Sequence, residues 1–299
     1  MSAQSTPAPE SGSVERGLGE VPWYLWPNLL SLDAVAVSLV WLWCFSVSER
    51  VPILPPTYLV LGLVVWLIYT ADRLLDAYRM KDFSLSTPRH RFARRFALPL
   101  SAAWVLLLAA AIVLVLFKLQ AVLIYHGLVI SMMVLLYFVM RLSPKTHIQT
   151  LLPKEIFCGV VFALGSTYPV HALPNNFLAG VLTAELGLFA SLCALNCIAI
   201  SVWEWREDQA NDGGYSIVQN WPGVRTNYVR FAFLLAVVAA WLGIRGTSNF
   251  FAPILLSVAL SAALIGAIGL AEGSLSKNLR RVLADLALLS PLVVVPLLG

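Results

Sequence analysis

Residues 97–117 read ALPLSAAWVLLLAAAIVLVLF, a run that contains no charged side chain. A transmembrane helix needs about 20 consecutive apolar residues, so this run is long enough to cross a bilayer. Similar runs recur along nearly the whole chain, of whose 299 residues 59% are apolar and only 12% are charged. An average soluble domain carries about 25% charged residues. The sequence therefore predicts an all-α integral membrane protein with no room for a soluble catalytic domain.

The apolar runs predict nine membrane spans, which form a single transmembrane domain over residues 27–299. Residues 1–26 are rich in Ser, Pro, Glu and Gly, a composition typical of a disordered tail. This tail lacks the features of a signal peptide, so we expect the first span to be an uncleaved anchor. The predicted spans are 27–47, 54–80, 97–117, 120–141, 151–171, 178–205, 226–245, 250–271 and 280–298.

Lysine and arginine are distributed unevenly between the two sides of this topology. Of the 20 basic residues, 17 lie on the side that holds the N-terminus, and the other side has only Arg50, Lys118 and Arg245. Basic residues are retained in the cytoplasm in membrane proteins. We therefore expect a multi-pass protein of the cell (inner) membrane, with a cytoplasmic N-terminus and its C-terminus on the opposite side.

Two acidic clusters lie at the cytoplasmic ends of the second and sixth predicted spans. Asp72 and Asp76 form the first cluster, and Glu204, Asp208 and Asp212 form the second. Carboxylates four residues apart lie on one face of a helix, where their charges repel unless a cation is near. Because both clusters lie on the same side of the membrane, they predict a shared metal or substrate site.

Arginine side chains accompany the first cluster, among them Arg73, Arg79 and Arg89. Carboxylate oxygens together with substrate phosphate oxygens suit Mg²⁺, and arginine binds phosphate through two parallel hydrogen bonds. For the arginines alone, contact with anionic lipid head groups is the competing explanation. That explanation does not account for the paired carboxylates. The sequence shows no nucleic-acid-binding module and no His/Cys spacing typical of a transition-metal site.

Nine spans with acidic motifs ending spans two and six resemble the UbiA superfamily of intramembrane prenyltransferases. The first family motif is Asn-Asp-x-x-Asp-x-x-x-Asp, and Asp72 and Asp76 match its second half. The second motif is similar to Glu204-x-x-x-Asp208-x-x-x-Asp212. Arg141 and Lys154 resemble the basic residues that precede the family's fifth span. Ile68 and Tyr69 occupy the positions of the family's leading Asn-Asp pair.

The resemblance implies a nine-helix bundle that moves an isoprenyl group from a prenyl diphosphate to a lipophilic, aromatic acceptor with the help of Mg²⁺. It implies catalytic and metal-binding roles for the motif carboxylates and substrate-binding roles for the basic residues. The implied metal ligands are Asp72, Asp76, Glu204, Asp208 and Asp212. The implied catalytic residues are Asp72, Asp76, Glu204 and Asp208. The implied substrate-binding residues are Arg73, Arg79, Arg89, Arg141, Lys154 and Asp212.

Two alternatives remain on the same scaffold. The protein is then either a terpene cyclase that acts on a prenyl diphosphate without a second substrate, or a non-catalytic membrane protein. Three acidic residues inside predicted spans, Asp33, Glu185 and Asp285, are costly at membrane depth. We expect them either to bind an acceptor or a proton, or to form hydrogen bonds between helices or lie near the membrane interface.

Overall fold

The computed structural model describes residues 22–79, 87–142, 153–174, 177–205, 216–245 and 251–298. These ranges contain α-helices, a short 3₁₀ helix at Trp23–Leu25, and no strand. The α-helices in chain order are α1 Trp26–Leu29, α2 Leu32–Glu49, α3 Pro55–Arg79, α4 Pro88–Arg95, α5 Ala97–Lys118, α6 Ala121–Leu142, α7 Lys154–Ala172, α8 Phe177–Val181, α9 Ala184–Trp203, α10 Ile217–Asn220, α11 Pro222–Arg245, α12 Ala252–Leu270, α13 Lys277–Ala287 and α14 Pro291–Leu298.

Eight stretches of the described chain are long and apolar enough to cross a membrane. They are α2, α3, α5, residues Ala121–Met140 of α6, α9, α11, α12, and the segment Lys277–Leu298 that α13 and α14 form together. The protein is therefore an all-α, multi-pass membrane protein. The predicted fifth span forms helix α7, which is not among the eight. Because α7 packs against α2, α6 and α9, many of its side chains contact protein and not lipid, which permits a more polar composition.

Helix boundaries differ from the predicted spans where the backbone turns inside an apolar run. The first predicted span begins at residue 27, but Ser31 has a left-handed backbone (φ 59°) that separates α1 from α2. The sixth predicted span divides into α8 and α9, and the hydroxyl of Thr183 caps α9 by accepting a hydrogen bond from the backbone nitrogen of Leu186 at 3.3 Å. Hydrophobicity alone does not report such caps, since Ser and Thr are tolerated within spans.

The core of the bundle lies between α2, α9 and α12, each of which is about half buried. The indole of Trp41 on α2 stacks on the ring of Phe189 on α9, with centroids 4.0 Å apart. Its nitrogen donates to the carbonyl oxygen of Leu288 at 2.8 Å, which satisfies the one polar atom of a completely buried side chain. This contact ties the start of the chain to its end.

Helices α7 and α9 approach each other closely at Gly159. A Cβ atom at this position would lie only 2.4 Å from the backbone nitrogen of Ala194, so any larger residue would force the two helices apart. In contrast, α5 and α6 expose most of their apolar side chains, including Leu116 and Leu135. These two helices present the surface that meets lipid, while α7 and α9 bring polar residues together inside the bundle.

Candidate functional site

The first acidic motif occupies the last turns of α3. Asp72 accepts a hydrogen bond at 3.2 Å from the hydroxyl of Tyr137, which lies on α6. Asp76, one turn further on, lies with its Oδ2 atom 3.8 Å from Nε2 of His90 on α4. Both carboxylates are only partly buried, so they line the polar end of the bundle where α3, α4 and α6 meet.

Helix α4 connects this motif to the second one. Pro88 occupies its first turn, where the missing backbone N–H costs nothing. The side chains of His90, Phe92 and Ala93 are buried against the bundle, whereas Arg91 and the two arginines that follow face outward. Arg89, the neighbour of His90, reaches Glu204 at the end of α9. Two consecutive residues of α4 therefore contact the two predicted acidic motifs.

Glu204 is the centre of a buried ionic cluster. Its Oε2 atom lies 2.9 Å from Nη2 of Arg89, and its Oε1 atom lies 2.6 Å from Nη1 of Arg281 on α13. Burial raises the pKa of this carboxyl group, but Arg281 and Arg89 outweigh that effect and hold the pKa at about 2. Glu204 is therefore ionised at neutral pH, and both of its oxygens are committed to guanidinium groups.

His90 is neutral at the same site. Burial and the nearby Arg89 lower its pKa to about 3, and its Nδ1 atom is 3.1 Å from the hydroxyl oxygen of Thr87. The 3.8 Å approach of Asp76 to Nε2 is too long for a hydrogen bond. Because the imidazole ring is neutral, the contact between Asp76 and His90 is polar and involves no pairing of opposite charges.

The predicted phosphate-binding arginines have different surroundings. Arg89 contacts Glu204, as described above. Arg73 is buried on α3 and donates to the backbone carbonyl oxygens of Asn28 and Leu29, the latter at 3.2 Å. These two hydrogen bonds connect α3 to α1. Arg79 ends α3 at an exposed position, and Lys154 begins α7.

Three of the predicted site residues lie beyond the part of the chain that the structure describes. Asp208 and Asp212 lie outside the described residues, and so does the side chain of Arg141. Within the described ranges, no group of three or more His, Cys, Asp or Glu side chains is arranged to hold a metal ion. Asp72 and Asp76 offer the oxygen donors that Mg²⁺ prefers. Glu204 fits a metal less well, because two arginines already bind it.

Two of the acidic residues inside predicted spans meet in a hydrogen-bonded group further inside the bundle. The amide nitrogen of Asn28 donates to Oδ2 of Asp33 at 2.5 Å and lies 3.4 Å from Oδ2 of Asp285. The amide group of Asn28 therefore lies between the two carboxyl groups. Helices α1, α2 and α13 supply these three residues. The third, Glu185, lies in the first turn of α9 at the end opposite Glu204.

Three residues of this region, Arg281, His90 and Glu155, were not predicted as site residues from the sequence. Arg281 and Asp285 are four residues apart on α13 and so share a face, which is the one local signal that links them. The partners of Glu155 could not be foreseen, because they come from α9 and α10.

Comparisons of this chain with protein-family models, with characterised proteins and with solved structures find no match in any of the three.

Proposed function

We propose that this protein is an intramembrane prenyltransferase that moves an isoprenyl group from a prenyl diphosphate to a lipophilic, aromatic acceptor in a Mg²⁺-dependent reaction. One observation carries the proposal. Two acidic motifs that are more than 120 residues apart in the sequence meet the same short helix, α4, through Asp76 and Glu204. Such an arrangement suits a substrate with several negatively charged oxygens and an apolar tail.

The proposed topology has nine membrane helices of the UbiA type, with α7 as the ninth. Support comes from its length of 19 residues and its burial between α2, α6 and α9. With nine spans, the 17-to-3 distribution of basic residues favours a cytoplasmic N-terminus and a cytoplasmic position for both motifs.

The candidate site residues have distinct proposed roles. Arg89 and Arg281 would hold phosphate oxygens, since guanidinium groups bind phosphate as readily as carboxylate. Asp72 and Asp76, with Asp208 and Asp212, would hold Mg²⁺, which supplies positive charge to stabilise the departing diphosphate. The apolar interior of the bundle would exclude water from the allylic group.

A non-catalytic membrane protein on the same scaffold is the second candidate. The observation that favours it is the engagement of both Glu204 oxygens by arginines, which leaves this predicted metal ligand without an obvious role in binding Mg²⁺. Such a protein would bind a phosphorylated lipid without breaking its bonds.

The decisive experiment uses the purified full-length protein in lipid nanodiscs. Prenyl diphosphates of increasing chain length are added with Mg²⁺, and both binding and pyrophosphate release are measured. We expect Asp76→Asn and Asp208→Asn to lower turnover by about a hundredfold or more. Asp76→Asn should cause little loss of folded protein, because Asp76 is only partly buried at a polar end of the bundle. Lys154→Ala should have a smaller effect, since it removes one cation and no metal ligand.

The matched control is Glu185→Gln, which neutralises a carboxylate at the opposite end of α9 and should leave turnover unchanged. Binding of prenyl diphosphates without pyrophosphate release, with or without an aromatic acceptor, would favour the non-catalytic candidate. Release without an acceptor would indicate a cyclase. Absence of binding with and without Mg²⁺ would overturn the proposal.

A further inference from the structure

The arginines of helix α4 divide between the inside and the outside of the bundle. Arg89 reaches inward to the buried Glu204, whereas Arg91, Arg94 and Arg95 are exposed. Residues that are three or four positions apart share a face of a helix. These three exposed side chains therefore form one positively charged surface, which we call the outer arginine patch.

The segment of the chain that carries this patch contains no acidic residue. Asp and Glu are absent from residues 83–154, which include all of α4, α5 and α6. Asp76 and Glu204 approach α4 from other helices, but they meet it on its inner side, at His90 and Arg89. Because a guanidinium group keeps its positive charge in proteins, the outer arginine patch is a surface that attracts anions.

Helix α5 indicates the level of this patch in the membrane. It begins at Ala97, two residues after Arg95, and contains 22 residues. Such a helix is about 33 Å long, close to the thickness of the hydrocarbon core of a bilayer, about 30 Å. Few side chains of α5 are buried, and Ala97 and Leu98 are already exposed, so α5 meets lipid from its first turn. The outer arginine patch therefore lies at the level of the lipid head groups.

Two tryptophans beside α4 support the same level. The indole ring of Trp26 meets the ring of Phe92 on α4 edge-on, with centroids 6.1 Å apart. Trp26 and Trp23, three residues earlier, are both exposed. Tryptophan is enriched at membrane–water interfaces, where its apolar ring and its polar N–H group both find suitable surroundings. Exposed indoles and exposed arginines thus occur together at the start of α5.

We propose that the outer arginine patch binds the phosphate head groups of anionic membrane lipids. Guanidinium groups form paired hydrogen bonds with phosphate oxygens, and the exposed apolar start of α5 lies next to the acyl chains of the same lipids. The inference goes beyond the proposed function and does not rest on it, because it concerns only the outer side of α4. A patch that serves a soluble acidic partner, or that only keeps α4 in contact with water, predicts no preference for anionic over neutral lipid.

The test uses the purified full-length protein in lipid nanodiscs that contain equal amounts of phosphatidylglycerol, which is anionic, and phosphatidylcholine, which has no net charge. Native mass spectrometry counts the molecules of each lipid that stay bound when the protein is released. One arginine near an anionic membrane surface favours binding by about fivefold. We therefore expect the wild type to retain mainly phosphatidylglycerol, and Arg91→Gln/Arg95→Gln to lower the ratio of the two bound lipids by about fivefold or more.

The matched control is Lys118→Gln/Arg245→Gln, which also removes two exposed positive charges, at the last residues of α5 and α11. Neither residue has another Lys or Arg within ten positions, so this variant should change the lipid ratio much less. Arg91→Lys/Arg95→Lys retains both charges and should keep most of the preference.

Three results would overturn the inference. The first is equal retention of the two lipids by the wild type. The second is a preference for phosphatidylglycerol that survives unchanged in Arg91→Gln/Arg95→Gln, which would place the bound lipid elsewhere on the protein. The third is an equal loss of preference in Lys118→Gln/Arg245→Gln, since it would indicate a general effect of net charge and not a site on α4.

Discussion

Glu204 and Glu155 are two buried glutamates at the same end of the bundle, and their partners differ completely. They are 3% and 1% exposed, respectively. Glu204 is bound by the guanidinium groups of Arg89 and Arg281. Glu155 accepts hydrogen bonds from the hydroxyls of Ser201 at 3.0 Å and Ser216 at 2.5 Å and from the backbone nitrogen of Ile217 at 3.1 Å.

The difference favours Glu204 over Glu155 as a member of the proposed binding site. Guanidinium groups can exchange a carboxylate for phosphate oxygens, because both present paired anionic acceptors. The hydroxyl and backbone donors around Glu155 come from α9 and α10 and all converge on its carboxylate, which is 1% exposed. Glu155 therefore anchors the start of α10 to α7, and the surroundings of Glu204 are the ones suited to an anionic ligand.

The largest expected effect comes from removing the anion between the two arginines. Glu204→Leu leaves the buried guanidinium group of Arg281 without its carboxylate partner and removes one contact of the partly buried Arg89, and breaking a buried ion pair costs about 3–5 kcal/mol. The free energy of unfolding, measured by denaturant titration in detergent micelles, should fall by that amount. Adding Arg281→Leu to Glu204→Leu should recover part of the lost free energy of unfolding. A loss no larger than that of Glu155→Gln would erase the contrast between the two sites.

Lowering the pH should remove the stabilising contribution of the ionised Glu204 from the wild-type protein. The pKa of Glu204 is about 2 in the folded protein and about 4.3 in an unfolded chain. A carboxyl group whose pKa is lower in the folded than in the unfolded chain stabilises the folded protein at pH values above the unfolded pKa. This stabilisation is lost as the pH falls toward the folded pKa. The difference in unfolding free energy between the wild type and Glu204→Leu should shrink by about 3 kcal/mol from about pH 5 to pH 2. If the difference in unfolding free energy stays constant over this pH range, the pairing of Glu204 with Arg89 and Arg281 is wrong.

A smaller effect is expected at the hydroxyl-lined site. Glu155→Gln keeps one oxygen acceptor but turns an amide group toward donors, which leaves buried groups unsatisfied at a cost of about 1–3 kcal/mol. The same denaturant titration measures it, with Glu185→Gln as the control for neutralising a carboxylate on a long helix. If Glu155→Gln is as costly as Glu204→Leu, the charge of Glu155 matters as much as its hydrogen bonds.

The smallest effect separates two serines of α9. Ser201→Ala removes a buried hydrogen bond to Glu155 and should cost about 1 kcal/mol. Ser191→Ala removes only a bond to the carbonyl of Gly187 in the same helix, at an exposed position, and should be close to neutral. Equal losses in the unfolding free energy would show that Glu155 does not depend on its serine partner.

The positions of most helices could be predicted from the sequence. The span predicted at 97–117 is α5 at Ala97–Lys118, and the span predicted at 54–80 is α3 at Pro55–Arg79. Apolar length is a local property, so a single run contains all the information needed. The acidic ends of α3 and α9 were visible for the same reason, since carboxylates four residues apart share a helix face.

The sequence could not predict where those helices break or which side chains pair. The Thr183 cap and the left-handed Ser31 depend on backbone geometry within apolar runs. The Asp33 and Asp285 carboxyls, each isolated in the sequence, meet because α2 and α13 pack together.

The amino-acid sequence alone predicts a bundle of apolar helices with most of its charges at the helix ends. The pairing of Glu204 with Arg89 and Arg281, which are 115 and 77 residues away along the chain, becomes visible only in the folded protein. Hydrophobicity is a property of each residue, so any short segment of the sequence is enough to recognise an apolar helix. The compensation of a buried charge depends on which helices become neighbours, and that is settled by the packing of the whole bundle.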